Sequence, residues 1–475
     1  MKKTRISDFW FYKYRYQIGI GILALGYAAI IYYALFVAPN GLTQAEIESA
    51  KNSANLNLSN IFSKEIIDFP YRILQKISIG ILGLSNFSIK FPSILISLFC
   101  VVAITKLARI WFPRRTSILA AIIAITSSQF FFIAQNGTSE ILYILYPIIL
   151  ILSGFNFLKT PKKRQLAILV VILGLSFYTP LSIYIALALI FTVLAHPHLR
   201  FTFKKFSKKK KLAVYGALLA IILPLAISAI INPLIAKTIL GIPNSFNIFE
   251  NLKNLGMILF GFKNPIGSGL VSPILSPVAA CLVLIGTYFI LIDKHSARGY
   301  LIVIWTLILL CVCVLNPAMA TILFVPILIL AIAGLQGLID TWYALFPQNP
   351  YARFIGLIPV SLLVVNMLTT NLSVFSLSYT YSPETLSAFN QDLKILLENT
   401  DKNRILMISK NETGFFEILQ TQKSAKITTE FTDSEIILSR EAFLEARIPA
   451  SYKIEKILTS ARAENSDRFY ILKKK

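Results

Sequence analysis

Acidic residues are scarce in this chain: 23 Asp and Glu stand against 46 Lys and Arg, which leaves a formal net charge of +23 over 475 residues. Charged residues make up only 15% of the chain, whereas hydrophobic residues make up 56%. This composition excludes an ordinary soluble domain of the same length. Apolar runs of about 18 to 25 residues recur along the sequence, the length that a helix needs to cross a bilayer. The sequence therefore predicts a polytopic α-helical membrane protein.

Histidine and cysteine are scarcer still, with three and four copies. The cysteines lie inside apolar runs, where they act as small core residues and imply no disulfide framework: Cys100, Cys281, Cys311 and Cys313. The histidines lie in loops assigned below to the cytoplasm: His196, His198 and His295. This inventory excludes an outer zinc site of His and Cys ligands. An all-carboxylate Mg²⁺ or Mn²⁺ site stays open, but no ligand spacing supports it, and we predict neither a metal nor a cofactor.

Eleven segments are predicted to span the membrane: 17–37, 91–111, 116–135, 140–158, 165–178, 181–196, 212–235, 274–292, 299–316, 319–340 and 354–373. The first segment is too long for a cleaved signal peptide, so we expect it to be retained. Basic loops such as "LKTPKKRQ" and "FKKFSKKKK" fall on the same side as the basic N-terminus. The positive-inside rule assigns this side to the cytoplasm. The basic charge therefore needs no nucleic-acid partner, and an odd span count places the C-terminus outside.

The domain organisation follows from these spans. We expect a transmembrane domain over residues 1–376, with a first outer loop at 38–90 and a second large outer loop at 236–273. Residues 377–475 hold fourteen of the acids and alternate short strand patterns such as "NRILMIS" and "RFYILK" with amphipathic helical stretches. We expect a small extracytoplasmic α/β domain there.

Only nine acids precede the C-terminal domain, and six of them fall in predicted outer loops: Glu46, Glu48, Glu65, Asp68, Glu140 and Glu250. Acids at the ends of membrane spans are costly and are usually functional or ion-paired. A structural reading stays open for two of them. Glu46 fits the third position of a helix capped by Thr43, and Glu140 fits an acid favoured at a helix N-terminus.

Four stretches, taken in order, resemble the GT-C membrane glycosyltransferases, the group of protein O-mannosyltransferases and aminoarabinose transferases: "GLTQAEIES", "FPYRILQKISIGILGLSNFSIKFPSIL", "RRTSILAAIIAITSSQFFFIAQNGTSEILYIL" and "LVVILGLSFYTPLSIY". The resemblance covers residues 15–200 well and the rest loosely. It implies a GT-C-like fold. It also implies transfer of a sugar, with inversion, from a polyprenyl-phosphate donor to an extracytoplasmic acceptor (protein, lipid or cell-envelope glycan).

The resemblance also suggests site residues. Glu46 matches the second acid of the family's D-E pair, Glu140 matches the acid at the start of the fourth span, and Pro70-Tyr71 matches the start of a membrane-lying helix. The chain departs from the family where Ala45 replaces the usual catalytic Asp, where Lys90 stands near the usual Arg, and where "AQNG" replaces an Arg near the second acid.

The chemistry requires a carboxylate that accepts the proton of the attacking hydroxyl and cations that hold the departing phosphate. The catalytic candidates are the first-loop acids and the fourth-span acid: Glu46, Glu48 and Glu140. The candidates for binding the donor phosphate and lipid are Arg72, Lys90, Lys263 and Tyr178, with Asp68 and Tyr71 as further site residues. Interfacial snorkelling is the alternative for the cations, and an aromatic belt position is the alternative for the tyrosine.

Two other functions stay open. A transporter of lipid-linked glycans is expected to show paired interrupted spans and polar residues at mid-membrane, whereas here the spans read as continuous. A non-catalytic relative with a binding role is consistent with Ala45. The expected partners are a polyprenyl-phosphate sugar, an extracytoplasmic acceptor and membrane lipid, without nucleic acid.

Overall fold

The computed structural model describes residues 10, 14–37, 41–56, 66–243, 245–261, 274–293, 296–381, 389, 391–399, 405–409, 416, 426–431, 435–445, 448–460 and 467–475. Nineteen helices within these ranges are numbered here in chain order: α1 Arg15–Tyr32, α2 Gln44–Ala54, α3 Phe69–Leu82, α4 Asn86–Trp111, α5 Arg114–Ile125, α6 Ser128–Gln135, α7 Leu142–Lys159, α8 Lys163–Ser176, α9 Ile183–Ala195, α10 Pro197–Lys204, α11 Lys208–Ile231, α12 Pro233–Leu240, α13 Ile248–Phe260, α14 Pro277–Ile292, α15 Ala297–Leu315, α16 Phe324–Leu345, α17 Pro350–Tyr381, α18 Asp392–Asn399 and α19 Arg440–Glu445. A π-helical turn, Tyr33–Val37, continues α1, and 3-10 turns precede α7 and α16.

The multi-pass helical architecture is confirmed, but a count of eleven spans is not. Among the described residues, six helices are long and apolar enough to cross a membrane, and eight spans result if each of two bent pairs is counted as one. The bends are 54° between α5 and α6 and 93° between α9 and α10. All eleven predicted segments contain helix. Several are interrupted or short, as in α8 with 14 residues and α14 with 16 residues.

The membrane core is one continuous cluster of buried apolar side chains, and α4, α6, α7, α15 and α16 are major contributors to it. All eight residues of α6 are buried. Helices α14 and α16 approach each other closely at Gly286 and Gly334. A Cβ atom at either glycine would overlap a backbone carbonyl of the opposite helix, at Leu330 and Leu282 respectively. This close approach requires residues without side chains at both positions.

Helix α3 is amphipathic with its polar face turned inward. Tyr71, Gln75 and Ser78, spaced at i, i+4 and i+7, are buried. On the opposite face the apolar side chains of Leu74, Ile77, Ile81 and Leu82 are exposed. An apolar outer face next to membrane spans is typical of a helix that lies at the membrane interface.

The C-terminal residues form a five-stranded sheet of β1 Ile405–Met407, β2 Ile427–Thr428, β3 Ile436–Ser439, β4 Tyr452–Thr459 and β5 Asp467–Lys474. The strand order is β2-β1-β3-β5-β4. Strand β1 pairs in parallel with β2 and β3, and β5 pairs antiparallel with β3 and β4, with Ile437 opposite Ile471 in the β3–β5 ladder. The small C-terminal α/β unit expected from the sequence is therefore present. Helix α17 runs across the predicted boundary at residues 376 and 377.

The C-terminal sheet shares a hydrophobic core with the helices that follow the first span. Leu42 and Ile47 of the α2 region and Ile79, Leu84 and Ile89 from α3 to α4 pack in one cluster with α18, β1, β3, β4 and β5. We call this end of the helix bundle the sheet-side end. The contact fixes the position of the segment that carries most of the predicted site residues.

Candidate active site

Three connecting segments meet at the sheet-side end: the residues just before α3, the turn 136–141 between α6 and α7, and the turn 177–182 between α8 and α9. Two hydrogen bonds donated by backbone N–H groups connect these segments with one another and with α2. The Asp68 N–H donates to the carbonyl of Tyr178 at 2.8 Å, and the Gly137 N–H donates to Glu46 Oε1 at 2.6 Å. The first predicted outer loop and the Glu140 turn are thus joined in space.

Glu46 is fully buried and its hydrogen-bonding capacity is used inside the protein. It completes a capping box with Thr43: the Glu46 N–H donates to Thr43 Oγ1 at 3.2 Å, and the Thr43 N–H donates to Glu46 Oε2 at 2.7 Å. Glu46 Oε1 accepts the Gly137 N–H and lies 3.5 Å from Lys90 Nζ. A carboxylate with both oxygens engaged is poorly placed to accept a proton from a substrate, so the geometry favours the structural reading of Glu46.

Two of the predicted phosphate and lipid ligands, Lys90 and Tyr178, are also engaged inside the protein. Lys90 is 2% exposed, pairs with Glu46, and lies 5.1 Å from the centroid of the Phe389 ring. The Tyr178 hydroxyl donates to the backbone carbonyl of Ile221 at 2.7 Å, which makes it a link between α11 and the 177–182 turn.

Glu48 is exposed, two residues beyond the buried Glu46 on α2. Lys263 lies outside the described residues.

Asp68 occupies an unusual position at the start of α3. Its φ of 58° is left-handed, and among the described residues only Leu181, in the 177–182 turn, is another non-glycine residue with positive φ (65°). Asp68 makes no capping hydrogen bond with its side chain, and Oδ1 is buried without a partner. Burial raises the pKa of Asp68 from 3.8 to about 6, against the opposing effects of the Ser139 hydroxyl, the Arg72 guanidinium and the Thr179 hydroxyl. Strain and a raised pKa at one residue are typical of functional sites.

Tyr71 marks the centre of the acidic cluster. Burial raises the pKa of Tyr71, and the charges of Glu46, Asp68 and Glu140 act in the same direction. All three carboxylates therefore lie around this one phenol, whose oxygen is 2.8 Å from Ser93 Oγ.

Glu140 is half-buried, and its Oε2 accepts a 3.4 Å hydrogen bond from Asn136 Nδ2. Asp68 and Glu140 are the members of this cluster that reach the protein surface.

Sequence reasoning did not identify Gln75, Asn136, Thr138 and Thr179. The Gln75 amide oxygen accepts the hydroxyls of Ser49 and Ser53 at 2.9 and 2.7 Å, and its amide nitrogen donates to the carbonyls of Ile89 and Gly137 at 3.0 and 2.9 Å. The available signals were the i, i+4 spacing of Gln75 from Tyr71 and the polar run "QNGTSE" between two apolar segments. Within the described part of the chain, no group of three His, Cys, Asp or Glu side chains could hold a metal ion.

The comparisons with known proteins agree with this architecture. Residues 71–227 match the family described as dolichyl-phosphate-mannose-protein mannosyltransferase. The structure resembles that of ArnT from Cupriavidus metallidurans bound to undecaprenyl phosphate, with a TM-score of 0.53 and 11% identity over 95% of this chain and 97% of that chain. It also resembles the archaeal oligosaccharyltransferase AglB from Archaeoglobus fulgidus in complex with an inhibitory peptide and a dolichol-phosphate, with a TM-score of 0.51 and 12% identity over 88% of this chain and 65% of that chain.

No curated protein sequence matches the chain. Together, the family match and the structural similarities confirm the resemblance to the GT-C superfamily of membrane glycosyltransferases, and the chain has the GT-C fold.

Proposed function

We propose that the chain is a membrane glycosyltransferase that moves a sugar from a polyprenyl-phosphate donor to an extracytoplasmic acceptor (protein, lipid or cell-envelope glycan). The family match over residues 71–227 supports sugar transfer. Two proteins of similar fold bind undecaprenyl phosphate and a dolichol-phosphate, which supports a lipid carrier of the same chemical class.

One observation identifies a candidate for the general base. Asp68 Oδ1 is a buried oxygen without a hydrogen-bond partner, on a carboxylate whose pKa is about 6. A general base works best when its pKa lies near the operating pH. We assign Asp68 as the group that accepts the proton of the acceptor hydroxyl. The role passes from Glu46 to Asp68 because both oxygens of Glu46 are already engaged.

Two neighbouring side chains, Arg72 and Glu140, are assigned to the other parts of the reaction. The Arg72 guanidinium, one helical turn along α3 and close enough to lower the pKa of Asp68, is the cation assigned to the departing phosphate. Glu140 provides the second carboxylate of the cleft. A single displacement inverts the anomeric centre and needs no second nucleophilic carboxylate.

The test measures sugar transfer or release from a panel of polyprenyl-phosphate sugars by the purified protein in detergent. We expect Asp68→Asn to reduce kcat by about 10² or more, the upper range for a lost general base, while Glu48→Gln on the exposed face of α2 retains activity. Full activity in Asp68→Asn together with loss in Glu140→Gln would move the base to Glu140. If the wild type transfers no sugar from any donor, the chain is not a transferase for this donor class.

A non-catalytic role is the second candidate, and Ala45 is the observation that favours it. Ala45 stands beside the engaged Glu46, at the position where the GT-C motif usually has an Asp. If the wild type is inactive and Ala45→Asp gains transfer activity, the chain is a relative that has lost its base. If the wild type is active and Ala45→Asp transfers sugar faster, Asp68 acts as a weaker substitute for the Asp that the motif usually has at this position.

A further inference from the structure

Buried polar atoms without hydrogen-bond partners gather at the sheet-side end. Of eight such side-chain atoms among the described residues, four lie here: Asp68 Oδ1, Asn136 Oδ1, Thr138 Oγ1 and Thr179 Oγ1. Asn136, Thr138 and Thr179 are 6%, 8% and 0% exposed. Each unpaired buried group costs about 1–3 kcal/mol. Such a concentration in one place indicates that these atoms find their partners in a ligand.

The four atoms belong to a single location. Asn136 and Thr138 flank Gly137, whose N–H is bound to Glu46, and Asn136 also donates to Glu140. The Thr179 hydroxyl lies close enough to Asp68 to favour its ionised form. The Thr138 carbonyl accepts the hydroxyl of Ser93, which in turn contacts Tyr71. The unpaired atoms thus surround the carboxylates assigned to the reaction.

The chemistry of these atoms defines the group that would satisfy them. The Asp68 carboxylate and the Asn136 amide oxygen only accept hydrogen bonds, and the two threonine hydroxyls either donate or accept. The complementary group carries several hydroxyl donors. A sugar carboxylate in this place would lie beside Asp68, which is ionised above about pH 6, and the two like charges would repel each other.

We propose that Asn136, Thr138 and Thr179 bind the hydroxyls of the transferred sugar, and that the site takes a neutral sugar with adjacent free hydroxyls in preference to a sugar acid. This inference rests on the proposed function and adds the substrate class. Because the three side chains are almost fully covered by the protein, sugar binding includes a local opening of the two turns that carry them.

The test uses Thr138→Val and Thr179→Val, which remove a hydroxyl at nearly constant volume. Thr192→Val is the matched control, because Thr192 is also buried but its hydroxyl donates to the Ala188 carbonyl at 2.6 Å. The melting temperature of each purified full-length protein is measured alone, with undecaprenyl phosphate, and with undecaprenyl phosphate carrying a neutral hexose or a hexuronic acid.

We expect Thr138→Val to keep or raise the melting temperature of the protein measured alone, since it removes an unpaired polar group, whereas Thr192→Val lowers it. In the wild type the hexose adds stabilisation beyond that of the sugar-free lipid. The site variants lose this increment, and their KM for the hexose donor rises about tenfold, equivalent to one lost hydrogen bond.

Several results would overturn the inference. A fall in melting temperature in Thr138→Val equal to that of Thr192→Val means that the Thr138 hydroxyl is already satisfied, for example by buried water. Equal stabilisation of the wild type by the sugar-free and hexose-bearing lipids contradicts the sugar subsite, although it is consistent with lipid binding. Equal transfer of hexuronic acid and hexose contradicts the preference for a neutral sugar. Absence of both lipid stabilisation and transfer contradicts the proposed function and, with it, this subsite.

Discussion

At the scale of single residues, Glu46 holds three segments in one arrangement. It caps α2, accepts the N–H of Gly137 and neutralises Lys90. Lys90 has few other ways to satisfy its charge, because it is 2% exposed. A buried charge that loses its partner costs more than the intact pair contributes. Breaking this pair is therefore expected to cost stability, and under the proposed assignment the pair supports the site while Asp68 acts as the base.

We expect Glu46→Gln to lower the free energy of unfolding by about 3–5 kcal/mol, because the Lys90 charge is left buried and unpaired. Thermal denaturation in detergent measures the change, with Glu48→Gln as the exposed control. The double variant Glu46→Gln/Lys90→Met is expected to recover part of the loss, since it removes the uncompensated charge. An undiminished melting temperature in Glu46→Gln combined with loss of sugar transfer would assign Glu46 to catalysis instead.

A pH dependence follows from Asp68. Its pKa rises from 3.8 in the unfolded chain to about 6 in the folded protein, so between these values the folded state holds a proton that the unfolded state has released. The contribution of Asp68 to stability therefore decreases as the pH rises from about 4 to about 6 and is constant above that range. As a general base Asp68 works only when ionised, so kcat/KM is expected to rise with an apparent pKa near 6 and then level off.

Rates of sugar transfer and melting temperatures from about pH 4 to about pH 8 test both effects. In Asp68→Asn the stability change over this window is expected to become smaller, and the remainder comes from the other carboxylates of the cluster. A kcat/KM profile in the wild type that is flat through pH 6 would exclude Asp68 as the base.

At the scale of elements, the 136–141 turn depends on helices that are distant in sequence. Gln75 in α3 binds the carbonyl of Gly137, the carbonyl of Ile89 in α4 and two serines of α2. The inward polar face of α3 thus orients the turn that carries Asn136 and Glu140. Its opposite face is apolar and exposed, as is typical of a helix that lies at the membrane interface. Helix α3 therefore fixes the internal geometry of the site through its buried polar face.

The α14–α16 contact allows a test of helix packing. Alanine in place of a helical glycine normally stabilises a helix by about 1 kcal/mol, but in Gly334→Ala the added Cβ would overlap the Leu282 carbonyl. We expect Gly334→Ala to lower stability by about 1–3 kcal/mol through overpacking. Gly216→Ala in α11 is the control, because nothing lies within 4 Å of its Cβ position. Equal melting temperatures for the two variants would contradict the close contact.

At the scale of the whole molecule, the C-terminal sheet and the membrane domain share buried surface near the site. Leu396 of α18 is fully buried in the cluster that also contains Leu42 and Ile47 of the α2 region. We expect Leu396→Ala to lower stability by about 2–5 kcal/mol and to reduce sugar transfer, because α2 loses its support. Leu444→Ala, at a position that is 70% exposed, is the control for both measurements. Unchanged transfer in a destabilised Leu396→Ala protein would show that the sheet does not support the site.

Much of this architecture was predictable from sequence, because it depends on local patterns. The length of the apolar runs predicted the helical membrane domain, and short apolar runs such as those of "NRILMIS" and "RFYILK" predicted strands of the sheet. The spacing of Thr43 and Glu46 indicated the capping box that the structure contains. The number of spans was harder to predict, because residues 116–135 are broken by a 54° bend at Thr126 and Ser127, and polar residues at a break do not reveal whether a span continues.

The candidate site was only partly predictable, because its assembly depends on contacts between distant segments. Sequence placed Asp68, Tyr71, Arg72 and Glu140 in the site region. It could not distinguish a carboxylate that is fully bonded, such as Glu46, from one with a free oxygen, such as Asp68. Nor could it place Thr179 beside Asp68, since 110 intervening residues separate them in the chain.

The Glu46–Lys90 pair also has an evolutionary consequence. Either residue alone is costly to replace, since the other is then left as an unmatched buried charge. Neutral drift at these two positions therefore has to proceed through a rare intermediate or a joint change. Among chains that descend from the same ancestor, the acid and the lysine are expected to be inherited together or lost together. A lineage that has lost both has also lost the capping carboxylate of α2, and it needs another way to hold the Gly137 turn.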